Sequence, residues 1–271
     1  SYCPIEPSRI VVTATTTLAA CGEDDGTATA TASGGRGGTY SYLWTVKKGD
    51  IILEGDSTQE EVVIKGTVFR DISTLFWEGL FNLKVNSLFA VIGGGLGGAI
   101  AWEMAVLQPD FTEHLIVVAT DWKSTDWLIA NCQIQEQFLL NSKHPVHDAR
   151  MHAMLCYRTP ESFKERFQRS KNDDLEIFNV ESWLLHHGKK LQERFQLSAY
   201  KLMNQLLRTI DVTKGRSSNF NVLENIEAKI HIVGVDSDLF FTAEENRETH
   251  KQLALTHPNV TYNEIHSVHG H

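Results

Sequence analysis

The segment Ala90-Val91-Ile92-Gly93-Gly94-Gly95-Leu96-Gly97-Gly98 constrains the fold more than any other part of the chain. An apolar run enters a turn of glycines and leaves it into Leu96–Leu107, an apolar stretch that ends before Pro109. Such a turn takes a buried strand directly into a helix with backbone close to backbone, which is α/β architecture. Two chemistries use it. The pattern G-x-S-x-G puts a nucleophile on its middle residue; here that position is Gly95, which has no side chain to attack with. Gly93, Gly95 and Gly98 also spell G-x-G-x-x-G, whose amides at a helix N-terminus hold a pyrophosphate. The bland alternative is a packing turn without a ligand, so the rest of the chain must arbitrate.

The remainder of the 271 residues is ordinary in bulk. Hydrophobic residues make up 42% and charged residues 22%, enough for a core in one large or two modest domains. A net charge of -9 argues against a nucleic-acid or anionic-membrane surface. No apolar run reaches the length of a membrane span and no signal peptide is visible. The chain opens at Ser1 without a methionine, which points to a processed product or a fragment. Cys3 and Cys21 lie near the N-terminus and pair only if exported. Cys132 and Cys156 read as buried thiols, and no C-x-x-C spacing suggests zinc or redox chemistry.

Residues 1–47 differ in texture from everything after them. Ile10–Thr16 and Thr27–Ala32 alternate β-branched and small residues. Ser33-Gly34-Gly35-Arg36-Gly37-Gly38 separates them from Tyr40-Ser41-Tyr42-Leu43-Trp44, so the segment reads as short strands with glycine-rich turns. The run from Cys21 through Gly22-Glu23-Asp24-Asp25-Gly26, with Ser33-Gly34-Gly35 and Tyr40–Trp44, resembles one Ig-like repeat of bacterial gliding adhesins of the SprB type. Asp24 and Asp25 read as a solvated turn rather than a calcium site. Residues 48–67, charged and without periodicity, read as a linker.

From Val68 onward helix and strand patterns alternate. Asp71–Leu83 puts Ile72, Leu75, Phe76, Leu80 and Leu83 on one helical face. Leu88–Ile92 and Leu115–Ala119 are strands, residues 126–212 are almost wholly helical, and Ile230–Val235, Ala243–Leu255 and Val260–Ile265 close the series. This order predicts a parallel sheet with a helical cap inserted at 126–212. A triad in the order nucleophile, acid, histidine needs its acid after a late strand and its histidine after the next. Asp236-Ser237-Asp238-Leu239-Phe240 and His266-Ser267-Val268-His269-Gly270-His271 stand in those two places.

At this point residues 68–271 resemble the homoserine O-acetyltransferases, a branch of the α/β-hydrolases. Ala90–Gly98 resembles their GGSLGG elbow apart from the serine. Trp102-Glu103 and Gln108-Pro109 match the helix that follows it. Asp148-Ala149-Arg150 with Tyr157-Arg158-Thr159 matches the start of the cap, Asp236–Phe240 the acid loop, and His269-Gly270-His271 the terminal HGHD motif. The resemblance implies a partial α/β-hydrolase sheet with a cap, preceded by the β-rich, Ig-like segment. It implies Asp238 as triad acid, His271 as base, the Leu96 N–H as an oxyanion donor and Arg150 as the clamp on an amino-acid carboxylate. The implied reaction is ping-pong: acetyl passes from acetyl-CoA to a serine and then to the homoserine hydroxyl. Acetyl-CoA is there a substrate, and no metal or bound cofactor is implied. A cytoplasmic site in methionine biosynthesis and a homodimer through the cap are further implications.

Departures from the family pattern set further expectations. Gly95 stands at the nucleophile position, and loss of a triad serine costs on the order of a million-fold in rate. The final aspartate of HGHD is absent, and the family's early strands would precede residue 68, where the adhesin-like segment stands. A cut sheet exposes a strand edge and apolar surface, an aggregation hazard. Gly95→Ser alone is therefore expected to restore little transfer. Two other readings compete: a dinucleotide-binding oxidoreductase built on Gly93, Gly95 and Gly98 with Asp121 as its acid, and a non-catalytic adhesion module in residues 1–47. A zinc site from His266, His269 and His271 lacks a fourth ligand, and His186-His187 reads as solvated surface.

Overall fold

The computed structural model describes residues 8–17, 26–35, 61–64, 68–216 and 220–271. Backbone contacts divide the chain into two units, Ser1–Thr67 and Val68–His271. In the first, strands β1 (Ser8–Thr17), β2 (Gly26–Gly35) and β3 (Glu61–Ile64) form an antiparallel sheet in that order. Thr13 pairs with Thr31 and Thr27 with Val63. Two expectations change here. Ser33-Gly34-Gly35 continue β2 instead of turning, and residues 61–64, assigned to the linker, form β3. The β-branched run Val62-Val63-Ile64 supplies strand propensity that the neighbouring charges masked. Cys3, Cys21, Asp24, Asp25 and Tyr40–Trp44 lie outside the described residues.

The second unit begins with helix α1 (Phe69–Asn82), then β4 (Leu88–Gly94), α2 (Leu96–Leu107) and β5 (Thr112–Val118). The cap follows: α3 (Asp126–Asn141), α4 (Pro145–Cys156), α5 (Pro160–Phe167), α6 (Asn179–Gln192) and α7 (Leu197–Arg208). A two-residue hairpin, β6 (Lys171–Asn172) with β7 (Ile177–Phe178), interrupts the helices. The chain returns to the sheet through β8 (Lys229–Val235), α8 (Ala243–Leu253) and β9 (Val260–Ile265). All four long strands of this unit are parallel, in the order β4-β5-β8-β9. Helix ends are set by local chemistry: Thr125 accepts the Leu128 N–H at 3.2 Å, and Thr159 exchanges capping bonds with Ser162 ahead of Pro160.

The core sits on one face of the sheet. Leu115, Val117, Ile230, Ile232 and Val260 meet Ala101, Trp102 and Ala105 of α2 and Leu253 of α8. Helix α2 is buried on several sides, because sheet, α1 and cap surround it. Among its buried residues is the carboxylate Glu103, held by Arg70 Nε at 2.5 Å and by both Arg216 terminal nitrogens at 2.7 and 2.8 Å. The opposite face carries Ile92, His114, Ile116, His231 and Ile265, of which Ile92 is 69% and Ile265 48% exposed. Part of the apolar face read for α1 is turned outward: Leu75, Phe76 and Leu83 are exposed, Leu80 is half-buried and Ile72 packs against the core, while Phe69, Ser73 and Trp77 are buried. Burial follows the neighbour and not the stripe, since Trp77 Nε1 donates to Met104 O at 3.1 Å on α2.

Candidate active site

The site is built where β4 runs into α2. A Cβ on Gly93 would lie 2.2 Å from Gly97 O, and one on Gly98 would lie 2.3 Å from Thr120 Cγ2, so the turn closes only on glycines at both positions. Gly95 sits between strand and helix with φ 54° and ψ −128°. Its N–H donates to Val118 O at 3.0 Å and its carbonyl accepts the Thr120 hydroxyl at 2.6 Å, which locks the turn to the end of β5. A Cβ at Gly95 would point at His271, 3.4 Å from Nε2, with Phe241 next at 4.0 Å. Beyond it Leu96 opens α2, and the first N–H groups of a helix have no partner within it.

The loops after β8 and β9 bring Asp238 and His271 together. His271 Nδ1 lies 2.7 Å from Asp238 Oδ2. The other carboxylate oxygen, Oδ1, accepts the N–H groups of Phe240 at 2.7 Å and Phe241 at 2.9 Å. The Asp238 side chain is wholly buried and that of His271 is 23% exposed. Nδ1–H therefore donates inward, and Nε2 faces Gly95 as an acceptor. The loop is pinned from below: Ser237 donates to Ser267 O, Gly270 N–H donates to Ser237 Oγ at 3.2 Å, and Thr159 donates to Val268 O. The neighbouring Asp236 faces outward to His266 Nδ1, 2.9 Å away.

Arg150 lies on α4 and lines a cavity of about 230 Å³ with Gln135, Tyr157, Tyr200 and Phe240. Its guanidinium lies 5.5 Å from the centre of the Tyr157 ring and makes no ion pair among the described residues. The Tyr157 ring is itself 5.5 Å from His271, so the cavity adjoins the dyad. Tyr200 donates to Gln135 Oε1 at 3.1 Å, and Gln135 Nε2 meets His152 Nδ1 at 2.8 Å. Burial pushes the Tyr157 and Tyr200 phenols up and the His152 imidazole down, so these walls are neutral near pH 7. Cys132 and Cys156 are buried free thiols, and burial pushes Cys132 up to about 12.

The structure thus brings Gly95, Asp238 and His271 together with Leu96 next along the chain, and Arg150 packs on the Tyr157 ring that neighbours His271. Residue reasoning gave no role to Tyr157, Phe240 and Phe241, whose rings lie 5.5, 5.8 and 5.5 Å from His271. The Phe240-Phe241 pair two residues past Asp238 was the available signal. Asp121 is turned away from the glycine turn's solvent side: 5% exposed, it accepts Asn246 Nδ2 at 3.1 Å and leaves Oδ2 without a partner. Burial, then Glu245 and Asp238, push it up to about 8, which suits a neutral acid and not a ribose clamp. His266, His269 and His271 do not converge; His266 turns to Asp236, His271 to Asp238, and His269 lines a separate cleft with Arg158. Of the histidine pair on α6, His186 is exposed, but the His187 ring packs 4.3 Å from Trp183.

No family model matches the chain. It is 36% identical over 216 residues to a homoserine O-acetyltransferase of Chloroherpeton thalassium, covering 74% of this chain and 56% of that protein. A homoserine O-acetyltransferase crystal structure from Staphylococcus aureus superposes with a TM-score of 0.62 at 25% identity, covering 76% of this chain and 60% of that one. The acetyl esterase MekB, 18% identical, superposes at 0.66 over 76% of this chain and 62% of its own. The chain therefore spans a little over half the length of the curated relative it matches. The fold of the Val68–His271 unit is that of the α/β-hydrolases, and the chain is similar in sequence to the homoserine O-acetyltransferases over about three quarters of its length.

Proposed function

We propose that the Val68–His271 unit is the acid–base and acceptor-binding part of an acyltransferase site of the homoserine O-acetyltransferase type. The supporting observation is the alignment of three atoms: the Cβ direction of Gly95, His271 Nε2 at 3.4 Å, and Asp238 Oδ2 at 2.7 Å from Nδ1. A hydroxyl on that Cβ would give up its proton to Nε2. Asp238 would fix the ring tautomer and stabilise the imidazolium that forms. The Leu96 N–H would meet the oxyanion, and the unpaired Arg150 would hold the carboxylate of homoserine. Gly95 stands where that hydroxyl belongs, so the covalent half-reaction has no group to carry it in this chain. By resemblance, the acyl donor is acetyl-CoA, the compartment is the cytoplasm, and pairing of two copies runs through the cap.

The half-reaction tests this reading. Gly95→Ser incubated with acetyl-CoA is expected to gain the mass of one acetyl group slowly, with little onward transfer to homoserine. The unaltered chain and the double variant Gly95→Ser with His271→Ala are expected to gain none. An unacetylated single variant that retains the native circular dichroism would sink the reading.

A further inference from the structure

Apart from the dyad, the ends of β8 and β9 carry a second cluster of ligand-type side chains. In the register of these strands Gly234 pairs with Glu264 and Val235 with Ile265. Asp236, one residue past β8, therefore stands beside His266, one residue past β9. The Asp236 N–H donates to Ile265 O at 3.1 Å, which ties the two strand ends together at this point. Asp236, Glu264 and His266 each offer a ligand atom, and the three atoms lie within 4.8 Å of one another. His266 Nδ1 is 2.9 Å from Asp236 Oδ2. That is a little under the roughly 3.3 Å edge of a tetrahedron whose bonds are about 2 Å.

Each donor is aimed by its neighbours, as ligating groups ordinarily are. The Ser267 N–H takes Asp236 Oδ1 at 3.0 Å and leaves Oδ2 for other partners. Arg247 donates to both oxygens of Glu264, at 2.9 and 2.7 Å, and the Tyr262 hydroxyl donates to Oε2. A carboxylate has about four lone-pair sites, so those bonds leave Oε1 able to accept once more. Arg247 also meets Glu244 at 3.1 Å, so its charge does not leave the site positive. The His266 side chain is 81% exposed, which gives an ion a way in.

We propose that Asp236, Glu264 and His266 form a three-ligand site for zinc or a similar divalent transition ion, with water as fourth ligand, and that the ion staples the ends of β8 and β9. One imidazole and two carboxylates suit a borderline ion, whereas Mg²⁺ demands an octahedron of oxygens. On binding, His266 Nδ1 releases its proton to solvent and coordinates as the neutral ring, with Nε2–H turned outward. The charges of Zn²⁺, Asp236, Glu264, Arg247 and Glu244 then sum to zero. His266 thus keeps a ligand's role with partners other than His269 and His271. The ion would fix the points where the two dyad-bearing loops leave the sheet, since Asp238 lies two residues past Asp236 and His271 five past His266.

The test titrates the full chain, first stripped with a chelator, with zinc chloride by calorimetry near neutral pH, alongside amide hydrogen exchange. One equivalent of Zn²⁺ is expected to bind and to slow exchange in residues 266–271, and Mg²⁺ at the same concentration to do neither. His266→Ala alters an exposed ring, and Asp236→Asn keeps the acceptor for the Ser267 N–H. Each removes a ligand and is expected to weaken zinc by at least the roughly 10–100-fold that loss of an outer-shell partner costs. Tyr262→Phe, which removes only the hydroxyl behind Glu264, is expected to weaken it about tenfold. His271→Ala, without the dyad imidazole, is expected to bind zinc as the unaltered chain does. No binding, binding unchanged in His266→Ala and Asp236→Asn, binding lost in His271→Ala, or an equal response to Mg²⁺ would each overturn the proposal.

Discussion

Asp121 and Glu103 are two buried carboxylates with opposite electrostatic fates. Glu103 is wholly buried but meets two guanidiniums, which ties α1, α2 and the loop after α7 to one point. Removing one partner of such a set strands the others, so Glu103→Ala should cost about 3–5 kcal/mol in denaturant unfolding. Asp121 meets no cation among the described residues, and its pKa is raised from the ordinary carboxylate range to about 8. A carboxyl whose folded-state pKa is raised binds its proton more tightly when folded. Its stabilising share is thus complete below the unfolded-state value and falls as pH rises toward 8. Asp121→Asn keeps an acceptor for Asn246 and loses the charge. It should flatten that decline and raise stability by about 1–3 kcal/mol above pH 8, read as unfolding midpoints across pH. The loops that carry Asp238 and His271 were legible in the sequence because they follow successive strands. The plight of Asp121 was not, since it depends on Asn246 arriving from α8.

At the scale of elements, small residues decide how closely the layers approach. Gly188 of α6 faces the His147 ring of α4, where a Cβ would lie 2.6 Å from Cδ2. The ring cannot swing freely, since its Nδ1 is 2.7 Å from Asp148 Oδ1. Gly188→Ala should therefore push α6 from α4 and lower stability by about 1–3 kcal/mol, despite the better helix propensity of alanine. A stable or unchanged unfolding midpoint would show that the cap yields without cost. Strand and helix positions were readable from periodicity, β9 at Val260–Ile265 among them. The outward face of α1 was misread because an apolar stripe does not say which neighbour covers it.

Among the described residues of the Val68–His271 unit, the sheet is covered by α2 and α8 on one face only and β4 pairs on one edge only. Parallel sheets are ordinarily covered on both faces. Phe89 at 72% and Ile92 at 69% exposure lie on that outer strand. Light scattering should therefore rise steeply with protein concentration, and the double substitution Phe89→Lys, Ile92→Thr should lower it without changing the far-ultraviolet circular dichroism. Scattering unaffected by the pair would place the aggregating surface elsewhere. The sequence by itself determined the order of strands and helices, the glycine elbow and the two loops that carry acid and base, because these are local patterns of period, turn chemistry and chain order. Only the tertiary structure decided that Nε2 of His271 points at Gly95, that Asp238 and not Asp236 is buried beneath it, and which face of α1 is covered. Each of those is set by which distant segment arrives at a given place, and periodicity carries no record of that.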